Sequence, residues 1–93
     1  MVYEWSAAKA KASTRKHGVS FEEASTVFLD PFAWTFPDPD HSAAEVREIT
    51  IGSAVGHRVV FVAHCQRGNR TRIISARKAI KRERKRYEEG ITT

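Results

Sequence analysis

Three β-rich runs follow one another with little between them: VREITIG (46–52), RVVFVAHC (58–65) and RTRIISAR (70–77). The first alternates Arg47, Ile49 and Ile51 against Val46, Glu48 and Thr50, the period of a half-buried strand. The second is apolar on both faces, as a central strand must be. Only Gly68 and Asn69 join the second run to the third, a strong hairpin signal. Strands linked by such short turns pair antiparallel, so a twisted antiparallel sheet is forced on the chain.

The flanks complete the outline. Val2–Trp5 is a possible edge strand, and AWTF (33–36) is a further short one. Ser6 caps a predicted helix through AAKAKASTRKH that stops at Gly18. Ser20 and Glu23 form a capping box, and Phe21, Ala24, Val27 and Phe28 then share a helical face until Pro31. Residues 37–42, PDPDHS, read as a loop. From Ala79 to Glu89 the pattern is helical again, with Gly90 expected to close it. The order is β-α-α-β-β-β-β-α, an α+β domain whose helices are expected to cover one face of the sheet. Its 93 residues suit a single domain, residues 1–93.

Charge is unevenly placed. Residues 1–66 carry −2 and residues 67–93 carry +7, for a net +5. A polyanion such as RNA or DNA is the natural partner for that split, although an acidic protein also fits. In the last helix Ile80 and Tyr87 share a narrow stripe that Glu83 interrupts. The remaining surface carries Lys81, Arg82, Arg84, Lys85 and Arg86. Like charges at i,i+4 cost helix stability, which a bound anion offsets. In the preceding strand, alternation directs Arg70 and Arg72 with Ile74, and Arg77 with Ile73 and Ser75, to opposite faces. Any one of these arginines fits phosphate, by its two-pronged donor geometry, or a salt bridge to a helix glutamate.

The remaining candidates are weighed singly. Of the four histidines, His57 lies in a turn, His41 in an acidic loop and His17 at a helix end. His64 closes the central strand near the arginines and is the one suited to proton transfer. Cys65, the single cysteine, sits among apolar strand residues and reads as packed; it allows no internal disulfide, which fits a reducing cytosol. Trp34 and Phe36 share a face of their strand, serving either the core or a partner surface. No apolar run approaches the ~20 residues of a membrane span, and the N-terminus lacks the order of a signal peptide, so a cytoplasmic location is expected. No H-E-x-x-H, paired C-x-x-C, glycine-rich phosphate loop or G-x-S-x-G occurs, which argues against metalloenzymes, NTPases and serine hydrolases and implies no cofactor.

KHGVSFEEA (16–24), DPDHSAAEVREITIG (38–52), and RIISARKA (72–79) with the following ER..YE (83–88) together resemble the BrnT family of bacterial type II toxins. The resemblance runs over nearly the whole chain. It implies a RelE-like fold and a small ribonuclease that arrests translation. It also implies a ribbon–helix–helix antitoxin that neutralises the toxin in a 2:2 complex and alone contacts operator DNA. The chain departs from the family pattern at Ser6, usually Asp, and at Ser13, usually Asn; the first change keeps an N-cap, the second removes an amide. On this basis Arg47, Arg72, Arg77 and Lys78 are expected to meet the scissile phosphate, with Glu48 or His64 as base and Tyr87 as proton donor. Arg70, Lys81, Arg82, Arg84 and Lys85 are expected to hold the rest of the RNA. Two rival readings use the same cations: a non-catalytic nucleic-acid binder, and a module whose basic surface is only an antitoxin's footprint.

Overall fold

The structure, a computed structural model, describes residues 2–41 and 45–92. Ser42, at the end of the predicted 37–42 loop, lies outside them. In chain order the elements are β1 (Val2–Glu4), α1 (Ala7–His17), α2 (Phe21–Ser25) running into a 3-10 turn (Thr26–Leu29), and β2 (Trp34–Pro37). A second 3-10 turn (Pro39–His41), β3 (Arg47–Ser53), β4 (Val59–Arg67), β5 (Arg70–Lys78) and α3 (Lys81–Thr92) follow. The predicted element order is the one observed. Among the described residues no helix is long and apolar enough to cross a membrane.

Local chemistry starts α1 and α2 and ends α1 where the sequence says it should. Ser6 accepts the Lys9 N–H at 3.3 Å and Ser20 accepts the Glu23 N–H at 3.0 Å, so α1 and α2 each begin on a hydroxyl cap. Gly18 ends α1 at φ 72°, a left-handed conformation that its lack of a Cβ makes accessible. Gly68 has φ 60° and closes the β4–β5 hairpin, in which Arg67 pairs with Arg70. The capping box is half-made. Glu23 leaves its reciprocal position and grips Arg58 instead, with two 2.6 Å bonds, and that bonding holds its carboxyl below the usual range. At Ser13 the hydroxyl donates to Ala76 O at 3.2 Å, tying α1 to β5. Gly90 does not end α3, which continues to Thr92; among the described residues only Gly18 and Gly68 are glycines at positive φ.

The sheet order is β1-β5-β4-β3-β2. β2 to β5 pair antiparallel, as the hairpins require, but β1 adds a parallel pair with β5. The sheet is therefore mixed. Helices α1 and α2 bury one face, where Val19, Phe21, Ala24 and Val27 meet Val60, Val62, Ile73 and Ala76. Gly52 allows this close approach: a Cβ there would stand 2.9 Å from Val27 Cγ1. Here the expectation that all helices lie on one face is corrected. Tyr87 of α3 packs with Ile49, Ile51 and Ala63, which belong to the opposite face.

One irregularity organises that opposite face. The β4–β5 register shifts between Ala63 and His64, because Ala63 pairs with Ser75 while His64 pairs with Ile73. Ile74 is thus an extra residue, a β-bulge. It resets the alternation, so that side chains on either side of it no longer obey simple parity.

Candidate active site

Paired residues in neighbouring strands project to the same face, and the pairings arrange the face beneath α3 in three rows. Trp34, Ile51, Phe61 and Arg77 form the first; Phe36, Ile49, Ala63 and Ser75 the second. The third is Arg47, Cys65, Arg72 and Glu4. Successive rows lie ~7 Å apart by strand geometry. Without the bulge, Arg72 and Arg77 would face opposite ways. With it, Phe61 and Cys65, four residues apart in β4, carry Arg77 and Arg72 on one surface. This corrects the expectation from simple alternation, which divided them.

Both arginines are held by carboxylates. Arg72 Nη1 donates to Glu4 Oε2 at 2.8 Å. Arg77 donates to both oxygens of Glu83, at 2.8 and 3.0 Å, and its guanidinium lies 3.8 Å over the Phe61 ring. Glu83 also accepts the Ile80 N–H at 2.9 Å, so one carboxylate caps α3 and orients Arg77. Burial pushes the Glu83 carboxyl up, but Arg77, the Ile80 N–H and Arg82 outweigh it and hold it ionised below its ordinary range. The salt bridge to a helix glutamate, weighed for these arginines from sequence, is thus made at Arg77 by a residue that reads as a break in the apolar stripe. Glu83 sits at the third position of its helix, the usual place for a carboxylate that turns back.

Helix α3 crosses the first row. Glu83 reaches Arg77 at one end, and Arg86 lies 4.7 Å over the Trp34 ring at the other. Tyr87 is buried between them, and its hydroxyl donates to Asp30 Oδ2. Asp30 Oδ2 also accepts the Ser53 N–H at 2.8 Å and Oδ1 the Phe32 N–H at 2.9 Å. Burial opposes ionisation of Asp30, and these three bonds overcome it, so its carboxyl sits below the usual range. Burial and the bond to Asp30 push the Tyr87 hydroxyl up to about 12. The structure places the Tyr87 hydroxyl, expected from the sequence to donate a proton, against Asp30, where its hydrogen bond fastens α3 to the sheet.

Glu48 and His64 do not join the arginines. They pair with each other, and His64 pairs with Ile73, on the face that α1 and α2 cover. His64 is buried, its ring edge-on to Phe28 at 4.9 Å and its Nε2 2.7 Å from Thr50 Oγ1, which is itself 2.7 Å from Thr35 Oγ1. Burial lowers the His64 pKa, against the opposing pull of Glu48. The imidazole is a member of a buried hydrogen-bond chain, and the structure does not bring Glu48 or His64, expected as base, onto the face that carries the arginines. A group whose folded pKa is depressed favours the folded state above its unfolded pKa of ~6.5 and loses that contribution as pH falls. His64→Gln should flatten the fall in melting temperature between about pH 6.5 and 5, measured by thermal melts across pH.

Other predicted RNA-holding residues divide similarly. Arg70 extends the face at the hairpin end. Lys78 pairs with Val60 and projects with the opposite face, towards Glu23. Lys81, Arg84 and Lys85 are exposed on α3, with Arg84 Nη1 turned to Ala79 O at 3.3 Å, while Arg82 lines a cleft beside Trp34. Cys65 is buried, as its setting suggests. Among the described residues no group of three or more His, Cys, Asp or Glu side chains is placed to hold a metal ion.

The comparisons agree with this architecture. The 1.1 Å crystal structure of the Brucella abortus ribonuclease toxin BrnT matches with a TM-score of 0.68 at 24% identity, covering 87% of this chain and 100% of that one. That likeness establishes the fold. A search of curated proteins gave no match. Residues 5–83 match the family described as "Ribonuclease toxin, BrnT, of type II toxin-antitoxin system". That span holds β2 to β5 and both arginine–carboxylate residues of the bulged strand, and on it the chain belongs to the BrnT family of ribonuclease toxins of type II toxin–antitoxin systems.

Proposed function

We propose that the protein cuts RNA internally, without a metal ion, on the sheet face that carries Arg47, Arg72 and Arg77, and thereby blocks translation. Family membership supplies the activity class. The observation that supports the mechanism is the bulge at Ile74, which gathers the arginines of two rows onto one surface.

An RNA 2′-hydroxyl attacks the adjacent phosphorus once its proton is removed. The 5′-oxygen leaves and takes up a proton, and a 2′,3′-cyclic phosphate remains. Negative charge grows on the phosphoryl oxygens in the transition state, and fixed guanidinium donors stabilise it. The pairs Arg72–Glu4 and Arg77–Glu83 are about a third exposed or less at each side chain. Such partly screened pairs contribute on the order of 1 kcal/mol. The substrate phosphate therefore displaces the carboxylates as it binds, and until then they keep the guanidinium groups oriented. Glu83, released beside the phosphate, takes the 2′-hydroxyl proton, the role of base expected of Glu48 or His64, which lie on the opposite face.

Membership of a type II system implies an antitoxin partner. In this reading it is a ribbon–helix–helix protein that covers the basic surface in a 2:2 complex, and operator DNA is reached only through it. The purified toxin incubated with messenger RNA in EDTA should leave 5′-hydroxyl and cyclic-phosphate ends. RNA that stays intact in EDTA and is cut only when a divalent ion is restored would contradict the metal-free reading.

A further inference from the structure

We propose that Trp34 and Phe36, with Arg82 and Arg86 of α3, form a stacking subsite for an unpaired nucleobase of the RNA substrate. The proposal rests on the ribonuclease reading and adds to it a place where a base, rather than a phosphate, is held.

Trp34 and Phe36 lie on the edge strand β2, project to the same face as Arg72 and Arg77, and are only half-buried. Their rings stand 4.5 Å apart, tilted at 36°, and pack against the Ile49, Ile51, Ala63 and Tyr87 cluster while leaving an apolar ledge at its open edge. Above the ledge a cleft of about 180 Å³ is lined by Trp34, Phe36, Ile51, Arg82, Glu83 and Arg86. On the other side of Arg86 a second cleft, of about 310 Å³, is lined by Phe32, Trp34, Tyr87 and Gly90. The Arg86 guanidinium carbon already lies 4.7 Å from the Trp34 ring centroid, so a cation sits over the aromatic face before any ligand arrives.

Charge selects the occupant. An apolar ledge alone would suit any hydrophobic partner. Here it is bordered by two exposed arginines on a helix that also carries Lys81, Arg84 and Lys85. The ligand must therefore combine flat π-faces with closely spaced negative charge, which is the chemistry of single-stranded RNA. The ledge and Arg77 end the same row, three strand spacings or ~14 Å apart. A strand crossing the face thus meets arginine at the reaction centre and an aromatic platform to one side. Phe61 under Arg77, at 3.8 Å, repeats the arrangement within that row.

Tryptophan fluorescence reads the subsite in the unmodified protein. The second tryptophan, Trp5, packs edge-on to Phe21 under the opposite face and serves as a silent background. A 2′-O-methyl oligoribonucleotide, which cannot be cut, should quench the emission. An abasic oligonucleotide of the same length, with the same phosphates, should bind more weakly and leave it unchanged. Trp34→Leu should abolish the quench and raise KM for a cleavable RNA about tenfold with kcat little changed, and Trp34→Phe should recover most of the loss. Circular dichroism verifies that each variant is folded. Equal binding and equal quenching by base-bearing and abasic strands would overturn the proposal, as would an unchanged KM and cleavage pattern in folded Trp34→Leu. So would quenching by the antitoxin but not by RNA. If the wild-type protein is quenched by RNA but never cuts it, the subsite stands and the ribonuclease reading falls.

Discussion

Arg77→Ala lowers the rate of RNA cleavage by about 10²–10³-fold and leaves the protein folded. The magnitude is that of removing one fixed donor from a site where transition-state charge develops. The structural cost is small. Arg77 is about a third exposed, and its pair with Glu83 contributes on the order of 1 kcal/mol. Loss of the guanidinium frees Glu83, which still caps α3 through the Ile80 N–H. Single-turnover cleavage of a defined RNA, together with a thermal melt, separates chemistry from folding. Induced in bacteria, the variant should no longer arrest growth. A folded Arg77→Ala protein that cuts at the wild-type rate would remove Arg77 from the site.

Phe21→Ala has the largest expected effect on stability, a loss of about 3–5 kcal/mol. Phe21 is fully buried, meets Trp5 edge-on with ring centroids 5.9 Å apart, and belongs to the core that joins α2 to β4 and β5. Truncation opens a cavity at the first position of α2, where the Ser20 cap fixes the backbone and limits collapse. For a domain of this size the total margin is about 5–15 kcal/mol, so the melting temperature should fall by on the order of 20 °C. Cleavage at 25 °C then falls only as far as the folded population does, and cooling restores it. Arg77→Ala is not rescued by cooling, and that contrast distinguishes a core residue from a site residue.

Local signals in the chain were enough to read the element order, the Gly68–Asn69 hairpin, the caps at Ser6 and Ser20, and the shared face of Trp34 and Phe36. Each rests on neighbours a few residues apart. What was not legible depends on contacts made at long range. β1 has three residues, and its parallel pairing with β5 has no local signature. Nor does the bulge at Ile74, since no glycine or proline marks it, and without it Arg72 and Arg77 appear on opposite sides. His64 reads as a free titrating group until Phe28 and Thr50 are seen to enclose it. Glu83 reads as an interruption of an apolar stripe because its partner, Arg77, lies across a turn in the preceding strand. The helix whose charge dominates the sequence proves to be a cross-piece, pinned by Tyr87 to Asp30 and by Glu83 to Arg77.

The most direct test of the shared arginine face is an NMR titration of the 15N-labelled protein, including arginine side-chain signals, with an uncleavable 2′-O-methyl RNA. Shifts should concentrate at the Arg47, Arg72 and Arg77 side chains and along β2 to β5 beneath α3, while α1 and α2 stay unmoved. Shifts centred on Lys78 and the α1–α2 side, with the Arg72 and Arg77 signals unchanged at saturation, would contradict the account.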